Sequence, residues 1–337
     1  MFNKSSRFIA VMSTTSLIAL AGPALSAQAA GTEAEKGAKD LPVYFVHGYG
    51  YEDVDGDGNK DKGKNCSKTW GPALDYFKDH GWDEKQLITV GYYPDDKCDV
   101  DINPADENDA TRDTKIQYIA QDLAAYIKKK HGDEPVNIVA HSMGGLITRT
   151  AMFGHEHWGE QNFPKINVDQ IVTLGTPHNG VICEDKDDPK DSCNNGTTQW
   201  QQMNPDSKFI DVLHDYKLTD DWAKSTDWSF VGSNQDETVN GNSAIDLGHH
   251  ADHKYRYWDS NRTPANDACN EPERQVTHCG IRTLKNNGEN PDGDPGDDDG
   301  DYDLNYWNAD DGKRHETRSG WAPVKAAALA ISRGDDA

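Results

Sequence analysis

At 337 residues, 35% of them hydrophobic, the chain is long enough to bury a full core, and one large domain accounts for it better than two. Its 58 acidic against 34 basic residues give a net charge of −24, which repels polyanions and excludes nucleic acid as a natural partner. Six cysteines suit an oxidising compartment. Taken as neighbours in sequence they pair as Cys66 with Cys98, Cys183 with Cys193 and Cys269 with Cys279, and there is no Cys-x-x-Cys pair to hold zinc instead.

Lys4 and Arg7 precede a weakly apolar stretch from Phe8 to Leu25, and Ala27-Gln28-Ala29 supplies a small-x-small cleavage site. This predicts a secretory signal over residues 1–29 and a mature domain over 30–337. Losing those two basic residues takes the net charge from −24 to −26. Polar residues from Ser13 to Ser16 and Pro23 break the stretch, which makes it a poor membrane span, and no later segment is apolar enough to be a transmembrane segment.

Pro42 to Val46 reads as a buried strand ending in His47-Gly48-Tyr49-Gly50. A helix is expected from Thr69 to His80 and a strand from Gln86 to Tyr93. Ile116, Ile119, Ala120, Leu123 and Ile127 recur at helical spacing, with lysines 128 to 130 in the last turn and Gly132 to end it. Further strands follow at Val136–Ala140, Val168–Leu174 and Trp228–Gly232, then a last one at His253–Trp258 and a final helix from Ala322 to Ser332. Strands alternating with helices predict a mostly parallel sheet covered on both faces. Polar insertions at 51–66, 181–226 and 260–320 are too long for ordinary connections, and the tract Asp292–Asp303 reads as acidic surface.

The run Ile138-Val-Ala-His-Ser142-Met-Gly-Gly145 is apolar until it breaks at a serine followed by two glycines. That is the pattern of a nucleophile elbow, where a strand ends, one residue takes a strained turn and a helix begins at once. Small residues are needed two before and two after the serine; Ala140 and Gly144 meet that need, although glycine is the usual residue at the first position. With His47-Gly48-Tyr49-Gly50 before it and Thr173-Leu-Gly-Thr-Pro-His-Asn-Gly180 after it, the chain resembles the secreted bacterial lipases and esterases of the α/β-hydrolase superfamily over residues 41–180. The variant is the Ala-x-Ser-x-Gly elbow.

The resemblance implies an α/β-hydrolase fold, a serine nucleophile at Ser142 and an oxyanion hole made by the backbone N–H groups of Tyr49 and Met143. The superfamily's chain order is serine, acid, histidine. Trp228-Ser-Phe-Val-Gly232 runs into a loop presenting Asp236, the preferred acid, with Glu237 and Asp246 as alternates. His278, in a loop after the strand at 253–258, is the preferred base; His315, before the final helix, is the alternate.

Asp53, Asp55, Asp57, Asn59 and Asp61 have the spacing of a calcium loop, but Lys64 stands where an EF-hand needs a bidentate glutamate. A weak structural calcium site and a solvated acidic turn are both consistent with it. Catalysis itself calls for no cofactor. The expected activity is hydrolysis of lipid or related esters, at a lipid–water interface or in solution. Polyester hydrolysis or acyl transfer would use the same triad, and a non-catalytic secreted binding module would keep only the fold. A metallohydrolase is disfavoured, since no His-Glu-x-x-His occurs.

Overall fold

The computed structural model describes residues 39–50, 63–102, 110–185, 188, 190–258, 275–285, 302–308 and 312–333. The signal segment, the Asp53–Asp61 loop, Cys269 and the acidic tract before Tyr302 lie outside the described residues.

The strands are β1 (Val43–Val46), β2 (Leu87–Gly91), β3 (Val100–Asp101), β4 (Val136–His141), β5 (Val168–Leu174), β6 (Asp227–Ser233), β7 (His253–Tyr257), β8 (Tyr302–Asn308) and β9 (Arg314–Gly320). They form one sheet in the order β3-β2-β1-β4-β5-β6-β7-β8-β9. Neighbours are parallel from β3 to β7, and β8 and β9 are antiparallel. This is the expected mostly parallel α/β sheet.

β1 and β4 are buried along their whole length, as strands covered on both faces must be. Side chains alternate between the faces. Tyr44 and Val46 of β1 enter a core with Ile138, Ile119 and Leu146, whereas Val43 and Phe45 enter another with Trp70, Phe77 and Ile331. The helices follow from this. α1 (Cys66–Asp79) and the C-terminal helix α8 (Pro323–Arg333) supply the second core; α2 (Ile116–His131) and α3 (Met143–Trp158) supply the first. α1 begins three residues before its expected start because the Asn65 side chain caps it, accepting from Lys68 N. α2 matches the periodicity, burying Ile116, Ile119, Ala120, Leu123, Ala124 and Ile127. The insertion at 181–226 carries α4 (Ser192–Asn195), α5 (Thr198–Gln202) and α6 (Lys208–Asp215), and α7 (Gly241–Ala244) follows β6.

One expectation is corrected. The strand at 253–257 is the last parallel strand but not the last of the sheet, which continues through β8 and β9. β9 reads Arg-His-Glu-Thr-Arg-Ser-Gly, so it gives no apolar signal, and its residues alternate between exposed and half-buried. A charged strand suits a sheet edge, where it discourages pairing with another chain.

Two disulfides are as expected, Cys66–Cys98 and Cys183–Cys193. Cys279 is also disulfide-bonded; its expected partner, Cys269, is among the residues not described.

Candidate active site

The elbow forms where β4 meets α3. Ser142 has φ 55° and ψ −129°, a left-handed conformation rare for a residue with a side chain, and α3 starts at the next residue. Its backbone is fixed from β5, with Ser142 N–H donating to Leu174 O at 2.9 Å and the Thr176 hydroxyl donating to Ser142 O at 2.9 Å. A Cβ on Gly144 would collide with the Val46 carbonyl, so only glycine lets α3 start this close to β1.

The three expected side chains meet. The Ser142 hydroxyl donates to His278 Nε2 at 2.9 Å, and His278 Nδ1–H donates to Asp236 Oδ2 at 2.7 Å. The carboxylate must accept from Nδ1, so that nitrogen carries the proton and Nε2 is left to accept from the serine. Asp236 is buried, and its other oxygen accepts from the N–H groups of Thr238 and Val239, both at 2.8 Å. Serine, acid and base come from the ends of β4 and β6 and from the loop holding His278.

The turn after β1 lies against the nucleophile: a Cβ on Gly48 would sit 2.6 Å from the Ser142 Cβ. Tyr49 follows it, and its hydroxyl lies 3.0 Å from Thr197 Oγ1 while its ring tilts against Trp200 of α5 at 5.3 Å. Met143 is the first residue of α3, so its N–H has no acceptor within the helix. A buried group fixes this turn. His47 Nε2–H donates to Asp96 Oδ2 at 2.9 Å, its ring stacks on Tyr92 at 4.1 Å, and the Tyr92 hydroxyl bonds the carbonyls of His47 and Gly48 at 2.8 and 3.0 Å. Burial pushes the Asp96 carboxyl up, but the facing His47 and the Tyr92 and Tyr93 N–H groups outweigh burial and hold it below the usual carboxylate range. Nothing in the sequence singled out Tyr92 or Asp96, which lie 45 and 49 residues from their partner His47.

The alternates are elsewhere. His315 lies in β9, stacked on Tyr306 at 4.9 Å, and is not the residue bonded to Ser142. Glu237 is exposed. Asp246 is fully buried and pairs with Arg149 at 2.8 Å. Burial pushes its carboxyl up, but Arg149, with His178 and His249, outweighs burial and holds it well below the usual range. His178 of the Thr-Pro-His motif stacks on Phe230 at 4.1 Å, and burial holds it well below the usual histidine range, so it is neutral.

Among the described residues, three groups bring potential metal ligands together. Two consist largely of disulfide cysteines, which are not thiolates. The third, His214, Asp246 and His249, has its carboxylate engaged by Arg149, and the two imidazoles stack at 4.7 Å and 18°, so their in-plane lone pairs do not converge on one ion.

The elbow, the sheet order and the serine–histidine–aspartate relay are those of an α/β-hydrolase fold. Residues 109–258 match the family model of the PGAP1-like alpha/beta domain. That segment runs from before α2 through the elbow and Asp236 to the end of β7. Among solved structures, the lipase BlEst2 of Bacillus licheniformis is 17% identical, with 63% of this chain and 81% of that chain covered and a TM-score of 0.38. Lipase B of Aspergillus fumigatus is 15% identical over 63% of this chain and 42% of its own, with a TM-score of 0.40. Phospholipase PlaB from Legionella pneumophila, in complex with thio-NAD, is 13% identical over 60% and 43%, with a TM-score of 0.38. The chain thus spans less than half of the last two proteins. No curated protein matches the chain.

Proposed function

We propose that this chain is a secreted serine hydrolase cleaving carboxylic esters of lipids or similar substrates. The observation that carries the reading is the unbroken relay from the Ser142 hydroxyl through His278 to buried Asp236. Ser142 Oγ attacks the ester carbonyl as His278 Nε2 takes its proton, and the carbonyl oxygen becomes an oxyanion facing the N–H groups of Tyr49 and Met143. His278 then returns the proton to the leaving alcohol, and an acyl-serine remains. Water, deprotonated by the same nitrogen, releases the acid and restores Ser142. Asp236 holds the Nδ1–H tautomer throughout and stabilises the transient imidazolium. Preorganised donors at the oxyanion are worth about 3–4 kcal/mol each in barrier height.

Disulfides support export, as they persist outside the reducing cytosol. Among the described residues no helix is long and apolar enough to cross a membrane. The test is hydrolysis of p-nitrophenyl esters from short to long acyl chains by the mature protein, with Ser142→Ala as control. Activity is expected in the wild type and not in the variant, and the chain-length optimum separates esterase from lipase. A wild type inactive on every chain length would overturn the reading.

A further inference from the structure

The base is the one member of the relay that does not stand at the end of a strand. His278 comes 42 residues after Asp236 and 136 after Ser142, in a loop followed by a single short helical turn, Gly280–Arg282. Something must fix that loop to within a few tenths of an ångström of both partners, because a relay of hydrogen bonds tolerates little drift.

The Cys279 disulfide and the Arg282 bond to the Thr69 carbonyl hold the loop beyond the base. Two further side chains tie it at and before His278, and each belongs to the residue just before a member of the relay. His141, immediately before Ser142, donates its Nε2–H to the main-chain carbonyl of His278 itself at 2.7 Å. Gln235, immediately before Asp236, accepts from Val276 N–H through its side-chain oxygen at 2.9 Å. Both are buried, with 7% and 5% of their surfaces exposed. His141 lies between the edge of the Trp70 ring at 6.4 Å and the His278 ring at 4.8 Å. The Gln235 backbone is tied in turn to the Ser233 hydroxyl at 3.0 Å.

Resting on the hydrolase reading above, we propose that His141 and Gln235 are positioning residues that clamp the His278 loop to the strands carrying Ser142 and Asp236. The arrangement couples the three parts directly: a shift of β4 or β6 carries the base loop with it, so relay distances are kept. Burial, with the neighbouring His278 and Arg282, holds His141 well below the usual histidine range, so it stays neutral and adds no lasting positive charge beside the base. Neither side chain touches the reacting atoms.

The test is kinetic and spectroscopic. His141→Phe and Gln235→Met keep size and remove the bond; His141→Gln restores a donor near the position of Nε2. For each shape-conserving variant kcat on a p-nitrophenyl ester is expected to fall about tenfold, the equivalent of one buried hydrogen bond, with KM moving by less than about twofold. His141→Gln should recover most of the loss. The downfield proton resonance of His278 Nδ1–H should broaden or shift in His141→Phe and Gln235→Met and return in His141→Gln. Wild-type kcat together with an unchanged resonance in both variants would overturn the clamp. If the wild type turns over no ester, the hydrolase reading fails, while the resonance still decides the clamp.

Discussion

Replacing Asp246 by asparagine separates a structural carboxylate from a catalytic one. The pair Arg149–Asp246 is 2.8 Å long with side chains 1% and 0% exposed, and the guanidinium also donates to the carbonyls of Leu213 and Tyr216. Asn keeps the left-handed backbone that Asp246 adopts at φ 47°, removes the charge and turns one of the two acceptor oxygens, which face Arg149 and His249, into a donor. Breaking a buried pair from one side typically costs about 3–5 kcal/mol, and the lower figure applies because an amide oxygen can still accept from Arg149. The unfolding entropy of a chain of 337 residues makes each kcal/mol worth about 1.5 °C, so the melting midpoint should fall by about 4–5 °C. Asp246 and Asp96 both have folded pKa values below their unfolded ones. Their stabilisation is therefore complete above about pH 4 and is lost as pH falls through the folded value. Calorimetry across that range should find the wild type losing stability below about pH 4 and its advantage over Asp246→Asn shrinking with it. Esterase activity of the folded variant should match the wild type. An unchanged midpoint combined with a collapse of kcat would refute the reasoning and make Asp246 the acid.

Gln199 is fully buried and accepts from the Tyr93 hydroxyl while donating to the carbonyls of Thr111 and Thr114. Gln199→Leu should cost about 2–3 kcal/mol by removing those three hydrogen bonds, and limited proteolysis should cut near α5 sooner than in the wild type. Chelation should leave kcat unchanged, since the proposed relay needs no metal, and lost activity at an unchanged midpoint would contradict this; a melting temperature lowered by chelation would favour calcium at Asp53–Asp61, and an unchanged one the solvated acidic turn. With a net charge of −24, raising salt from low to moderate concentration should raise the midpoint by screening self-repulsion, and indifference to salt would refute the idea.

The parts legible in sequence were those with short-range signals. The elbow shows as an apolar run broken at Ser142 because the turn needs small neighbours, and α2 shows as period-3.6 burial. Asp236 and His278 follow from the resemblance, through where such a fold carries its acid and base relative to the strands. What the sequence hid is long-range or polar. β9 exposes every second residue at the sheet edge, so hydrophobic patterning carried no trace of it. The pairings His141–His278, Gln235–Val276 and His47–Asp96 join residues far apart in the chain through single polar contacts. A histidine before the nucleophile and a glutamine before the acid were visible as residues, but no local pattern says what they bond.

The most direct test of the central claim is intact-protein mass spectrometry of the mature chain, acid-quenched while it turns over a p-nitrophenyl ester, followed by peptide mapping. One acyl group on the peptide containing Ser142, and none on the Ser142→Ala protein, is the predicted result. Turnover that persists in the variant, or an acyl group mapped to any other residue, would contradict the account.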